Sequence, residues 1–156
     1  MTKYEIVKGK KKHAYELQRT MREADKMEIM ASNLKTPKEA LRGVLESRGE
    51  VWAGLADKKV VCMYGVIQLS VLGDAGVPWL LASDLITVHA RRFLRENKKF
   101  IAAMRKEFGQ LVNYVDERNI EAKRWLQWLG FELEEAAPYG ILQRPFHKFT
   151  MECRDV

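Results

Sequence analysis

Five side chains gather where the sequence changes from a strand-like to a helix-like pattern. Asp84 and His89 bring a carboxylate and an imidazole, groups that move protons in many active sites. Arg91, Arg92 and Arg95 follow in the first turns of a helix, where guanidinium forks can grip phosphate oxygens in pairs. Each has a plainer reading. Asp84 and His89 suit a helix cap or an exposed polar position, and the arginines suit the polar face of an amphipathic helix. Asn119 stands just before another helical pattern, where its side chain can cap the first free amides. Cys62 lies in the apolar run 60–63 and reads as a small buried hydrophobe. With no CxxC pair and no Cys/His cluster, no metal site is expected.

The elements that must position these residues follow from the hydrophobic period. Residues 4–7 form a short strand, and the basic run 8–12 reads as a solvated turn. Ala14, Leu17, Met21, Ala24 and Ala31 mark one amphipathic helix of roughly five turns, with Glu16, Arg19, Arg22 and Lys26 on its polar face. Thr36, Pro37 and Glu39 spell a capping box that opens a short helix ending near Gly49. The period then shortens. Residues 51–56, 60–72 and 77–82 read as three antiparallel strands, with Pro78 near the start of the third, where its missing N–H does least harm. A long helix spans 88–108, a strand 111–115, and a helix 119–129 that stops at Gly130. Trp125 and Trp128 share a face of that helix and read as core packing. A strand begins at Phe131, residues 137–140 break it, and 146–153 close the chain.

A long helix between two strands normally makes a parallel crossover. The expected fold is therefore α/β over a single domain, residues 1–156. Its sheet is mixed and mostly antiparallel, with a central parallel pair and helices on both faces. The bulk numbers fit. A chain of 156 residues, 47% hydrophobic and 31% charged, can bury a full core. Its net charge of +6 suits an acidic partner. Charge alone does not make nucleic acid the expected one. The N-terminal residues hold no apolar stretch of signal-peptide length, and no stretch is long enough to span a bilayer, so synthesis in a reducing cytoplasm is expected.

The segment Asn119-Ile120-Glu121-Ala122 through Leu129-Gly130-Phe131 resembles a motif of the GNAT N-acyltransferase superfamily: an Asn, an Ala three residues on, and a Leu-Gly-Phe ending after a strand. A narrower resemblance runs along nearly the whole chain. Arg22, Asp25, Glu28 and Ile29, the stretches 37–41, 78–81, 93–95, 111–116 and 124–126, Ser47, and the stretch 145–149 are similar to the GNAT-like internal virion protein A family of short-tailed phages.

The resemblance implies a slot between two splayed parallel strands, near 77–82 and 111–115, flanked by the helices 88–108 and 119–129. It also implies acetyl-CoA as cofactor, with Arg91, Arg92, Arg95 and Asn119 as the residues to hold it. Asp84 and His89 are the candidates for the base, neither of them assigned. Two departures stand out. The turn 82–93 carries no glycine where the superfamily cradles the pyrophosphate, and β-branched Ile86, Thr87 and Val88 oppose a tight nest. Leu126 occupies the position where many members keep an acidic tyrosine. The resemblance thus implies a GNAT-fold virion or assembly protein with degenerate motifs. The alternative is an active acetyl-CoA-dependent N-acetyltransferase acting on an amine. Expected partners are other virion proteins or a host protein, with a homodimer as a further expectation. The expected places are the host cytoplasm during assembly and the virion.

Overall fold

Short apolar stripes separated by polar turns fix most elements of this chain; a computed structural model describes residues 1–153. Strand β1 spans Tyr4–Lys8. Helix α1, Lys11–Thr20, buries His13, Ala14 and Leu17. The single long helix expected from the spacing is in fact two. Met21 and Arg22 turn to extended backbone, and α2 begins afresh at Glu23 and ends at Asn33. No glycine or proline marks the break. Its cause is tertiary: the Arg22 N–H donates to the Ala82 carbonyl at 2.8 Å, and Met21 forms a bridge with Ser83. The break resets the helical phase, so Arg22 is buried rather than on the polar face.

Helix α3, Pro37–Glu46, starts at the expected capping box, in which Thr36 and Glu39 satisfy each other's backbone amides. Strands β2 (Val51–Ala56), β3 (Lys59–Gln68) and β4 (Ala75–Ala82) make an antiparallel meander. Next come α4 (Ile86–Met104), β5 (Gln110–Asp116), α5 (Ile120–Leu129), β6 (Glu132–Leu133), β7 (Ala137–Tyr139) and β8 (Arg144–Glu152). The segment expected to interrupt the last strands instead adds β7, which pairs with β8. The sheet has eight strands in the order β1-β2-β3-β4-β5-β8-β6, with β7 beside β8.

Helices cover both faces. On one, Leu17, Ile29 and Leu41 of the first three helices, with Met21 from the break between the first two, pack on Ala53, Met63 and Leu81. On the other, Ile86 and Phe93 of α4 pack on Val61, Tyr64 and Ala82. Ile101 and the α5 residues Ala122, Leu126 and Leu129 cover Leu111, Val115, Phe131 and Phe149. A side chain such as Leu17 or Leu41, fully buried, contributes about 1.5–3 kcal/mol. Packing is close enough that a Cβ on Gly54 would meet the Phe93 ring at 2.6 Å. Cys62 is buried as expected, and burial pushes its thiol up to about 12, which makes it unreactive.

The sheet opens between its only parallel neighbours among the described residues. β4 and β5 pair at Ala75↔Gln110 and Gly76↔Leu111 and then separate. In an antiparallel ladder the polar groups of successive residues face alternate sides. Ser83 donates to Val61 on β3, so the odd residues of β4 serve β3, and Gly76, Pro78, Leu80 and Ala82 face the gap. Pro78 therefore sits in mid-strand, not near a strand's beginning. It is tolerated because its missing N–H points where no strand pairs.

Candidate functional site

Side chains bridge the gap at two levels. Asn113 of β5 accepts the Tyr114 N–H at 2.8 Å and donates to the Pro78 carbonyl at 2.8 Å. One side-chain amide thus replaces a rung of ladder. At the far end, α2 supplies two carboxylates three residues apart, which lie on one helix face. Asp25 accepts the Ala82 N–H, from the end of β4, at 2.9 Å. Glu28 accepts the Asp116 N–H, from the end of β5, at 2.8 Å. Helix α2 therefore straps the two diverging strands together.

The strap is itself wired. Arg22 pairs with Asp25 at 3.1 Å and donates to Asn119 at 3.5 Å. Asn119 donates to Asp25 at 3.4 Å and to Glu28 at 3.5 Å, and its carbonyl oxygen accepts the Ala122 N–H as the cap of α5. The Arg22 guanidinium lies over the Trp125 ring, 5.0 Å from its centre. Arg22, Asp25 and Asn119 are all buried. Charges removed from water must be paired to persist. The Arg22 guanidinium pairs with Asp25 and, at 3.9 Å, with Glu121; among the described residues Glu28 makes no ion pair, so the cluster does not cheaply hold both buried negative charges. Burial pushes the Glu28 carboxyl up to about 8, against the bonds it accepts from Asp116 and Asn119. Burial also raises Asp25, although Arg22 and the Ala82 N–H pull it down. Burial raises Asp116 too, but the bidentate Arg118 fork at 3.0 and 2.7 Å prevails and leaves it below the ordinary carboxylate range.

Between the two bridges lies a cavity of about 420 Å³. It passes through the sheet, with walls from α2 and α3 on one face and α4 and α5 on the other. The walls are mostly apolar, among them Ile29, Leu80, Leu94, Trp125 and Phe149. Its polar lining includes Glu28, Asn97, Asn113 and Asn119, together with Tyr114 and Tyr139, whose rings stack at 3.9 Å. A mostly apolar pocket of this size with a few convergent polar groups is typical of a small-ligand site.

No family model and no curated protein matches this chain. Solved structures do. An aminoglycoside N(6')acetyltransferase from Legionella pneumophila aligns over 96% of this chain and 92% of its own, with a TM-score of 0.70 and 13% identity. The ribosomal-protein-S5-alanine acetyltransferase from Vibrio fischeri aligns over 97% and 94%, with a TM-score of 0.65 and 17% identity. An acetyltransferase of the GNAT family from Streptococcus pneumoniae aligns over 96% and 99%, with a TM-score of 0.65 and 12% identity. This is the GNAT fold. At these identities the likeness concerns the fold and leaves activity open.

Measured against the GNAT pattern, the two turns that follow the parallel strands differ. Asn119, expected from the motif, lines the cavity. Asp84, His89, Arg91, Arg92 and Arg95 do not. Asp84 is exposed, and its carbonyl accepts from the Thr87 hydroxyl. His89 is half-buried against Tyr4, its Nδ1 2.8 Å from the phenol oxygen. The three arginines are exposed; Arg92 pairs with Glu96 at 3.8 Å and covers the Tyr4 ring. In the GNAT fold the amides opening the helix after this strand would cradle a pyrophosphate. Here those of Leu85, Ile86, Thr87 and Val88 bond to Ser83, Asp84 and Leu85. This turn does not fit a pyrophosphate. Leu126 lines the cavity where many GNAT enzymes keep tyrosine, while Tyr114 and Tyr139 reach the same space from β5 and β7. Trp125 lines the cavity too, but Trp128 is half-exposed on the surface against Lys98 rather than in the core.

Sequence reasoning gave no site role to Asp25, Glu28, Asn97 or Asn113. A signal existed for the first two. Arg22, Asp25 and Glu28 recur at intervals of three, the spacing of a single helical stripe, and the helix break rotated that stripe inward.

Proposed function

We propose that the chain is a GNAT-fold protein of a phage particle or its assembly, in which the fold serves structure and docking rather than acetyl transfer. The whole-chain resemblance to internal virion proteins supports the setting. One observation carries the loss of transfer: the amides of Leu85 to Val88 are bonded within their own turn, leaving no nest for a pyrophosphate. Exposed Arg91 and Arg95 could attract phosphate, but long flexible side chains order it less well than fixed amides. The partners proposed are other virion proteins, with a host protein or a second copy of the chain as lesser candidates. Two measurements test the reading. Calorimetric titration with acetyl-CoA should give no binding at high micromolar concentration, and a tagged chain should recover virion proteins from infected cells. Saturable acetyl-CoA binding at low micromolar concentration would end it.

A second reading is favoured by the chemistry around Glu28. Its carboxyl lines the slot with an affinity for protons close to neutral, as a general base for an amine requires. Tyr114 and Tyr139 offer phenol protons in the same cavity. On that reading the chain acylates an amine of a phage or host macromolecule, and Asp84 and His89 play no part. Thiol release from acetyl-CoA in the presence of candidate amines would be abolished by Glu28→Gln. No thiol release with any amine tested would remove this reading.

A further inference from the structure

The two ends of the sheet are finished differently. At one end β6 has only two residues, and so short an edge offers little to pair with. At the other end β1 runs for five residues and pairs with β2 in an unbroken register. Which of its polar groups stay open follows from that ladder. Asp57 donates its N–H to the Lys3 carbonyl at 2.8 Å, and Gly9 donates to the Val51 carbonyl at 2.7 Å. Lys3, Gly9 and the odd residues between them therefore bond to β2, because the polar groups of an antiparallel strand alternate sides. The N–H and C=O of Tyr4, Ile6 and Lys8 point outward. Among the described residues no strand, turn or helix cap bonds to them.

A second observation is the charge along this edge. Lys3, Lys8, Lys10, Lys11 and Lys12 are all exposed, and none makes an ion pair among the described residues. The carboxylates at hand are Glu5, within β1, and Asp57, which accepts the Lys3 N–H at 2.8 Å. Burial, then the charges of Lys12 and Lys10, hold the buried His13 imidazole below its ordinary value, against the pull of Glu16, so the positive field reaches into α1. Lysine on an edge strand guards against pairing with a second copy. Two β1 strands laid antiparallel about Ile6 would set Lys8 of each against Tyr4 of the other, and the basic run of each beside the other's Lys3. The guard is selective: it repels a like-charged strand and attracts one that carries carboxylates.

We propose that the outer edge of β1 is a docking strand for an extended, acidic segment of another protein, which joins the eight-stranded sheet as a ninth strand. Tyr4, Ile6 and Lys8 supply the main-chain hydrogen bonds, and the lysines at both ends of the strand select for carboxylates. A nucleic acid would satisfy the charge and leave the backbone groups unused. Strands β2 and β3 separate this edge from the strands of the slot, so the assignment does not depend on what the slot binds.

The test is an amide-resolved NMR titration of the full chain with a short, terminally blocked peptide of alternating L-glutamate and L-valine. A control peptide carries D-valine instead, with the same charge and composition but the wrong hand for a regular strand beside L-residues. The first peptide should saturate, shift the Tyr4, Ile6 and Lys8 amides and slow their exchange with solvent by at least about tenfold. The Glu5 and Val7 amides, already bonded to β2, should keep their exchange rates. The control should bind at least about tenfold more weakly, the equivalent of one hydrogen bond. Lys8→Glu should weaken the L-peptide about fivefold. Three results would each overturn the proposal. One is absence of saturable change at the three outward amides of the wild type. Another is equal binding of the D-valine control, which would mean attraction by charge alone, as for a nucleic acid. The third is a free chain already dimeric with these amides protected, which would give the edge to a second copy. Acetyl-CoA binding would defeat the proposed function and leave this assignment standing, because the edge lies outside the slot.

Discussion

Each of the two parallel strands runs into a turn and then a helix, yet the turns have opposite characters. After β5, Asp116 is clamped by Arg118, and Asn119 caps α5 while joining a buried network with Arg22, Asp25 and Glu28. After β4, the amides of Leu85 to Val88 donate to the Ser83 hydroxyl and to the carbonyls of Ser83, Asp84 and Leu85, and Asp84 is exposed. The first turn is held by residues more than ninety positions away in sequence; in the second, Ser83 is tied to Met21 and Val61, but the amides of Leu85 to Val88 bond only within the turn. A ligand-binding turn must leave donors waiting, which costs stability until the ligand arrives. The turn after β4 leaves none of Leu85 to Val88 waiting, so these four amides are not free for a ligand.

Substitution should expose this asymmetry. The largest effect is expected for Asp25→Ala, which strands the Arg22 charge and the Ala82 N–H in a buried place. Denaturant unfolding should show a loss of about 3–5 kcal/mol. A loss under about 1 kcal/mol would mean the network does not hold the strands. Asn119→Ala removes a cap and three further bonds and should cost about 2 kcal/mol.

Glu28→Gln sharpens the comparison through pH. Glu28 binds its proton more tightly folded than unfolded, so its favourable contribution is complete below its ordinary value of 4.5. That contribution should decline as pH rises toward about 8. Glutamine keeps an acceptor for the Asp116 N–H and cannot ionise. The variant should match the wild type near the acid end of this window and exceed it in Tm at the alkaline end. Each ~1 kcal/mol corresponds to about 2–4 °C for a domain of this size. Parallel Tm profiles for the two proteins across that range would show that Glu28 does not titrate as described. The smallest effect belongs to the other turn, where Asp84→Ala should change stability by less than about 0.5 kcal/mol.

Local signals wrote most of the fold plainly. The Thr36 to Glu39 box, the β-branched runs of β3 and β4, and Gly130 closing α5 each act over a few residues, so pattern and propensity located them. The break at Met21 could not be read, because its cause is a pair of bonds to Ala82 and Ser83, some sixty residues on. The same limit governed the site. Asn119 announced itself by a local motif. Glu28, Asn97 and Asn113 owe their meaning to which strand lies opposite, a fact absent from their own neighbourhoods. Asp84 and His89 drew notice as titratable residues near a turn, whereas Glu28 has its proton affinity raised by surroundings that folding alone creates.

Pro78 has one last consequence. Two extended chains lying side by side tend to close like a zip, each rung bringing the next within reach. A tertiary amide has no hydrogen to give, so the run halts where the covalent structure dictates, whatever the temperature or salt. The opening in the sheet is therefore written into the chain's chemistry, and an empty molecule should stay ajar. Pro78→Ala would restore the missing tooth of the zip, and partial closure of the slot would follow.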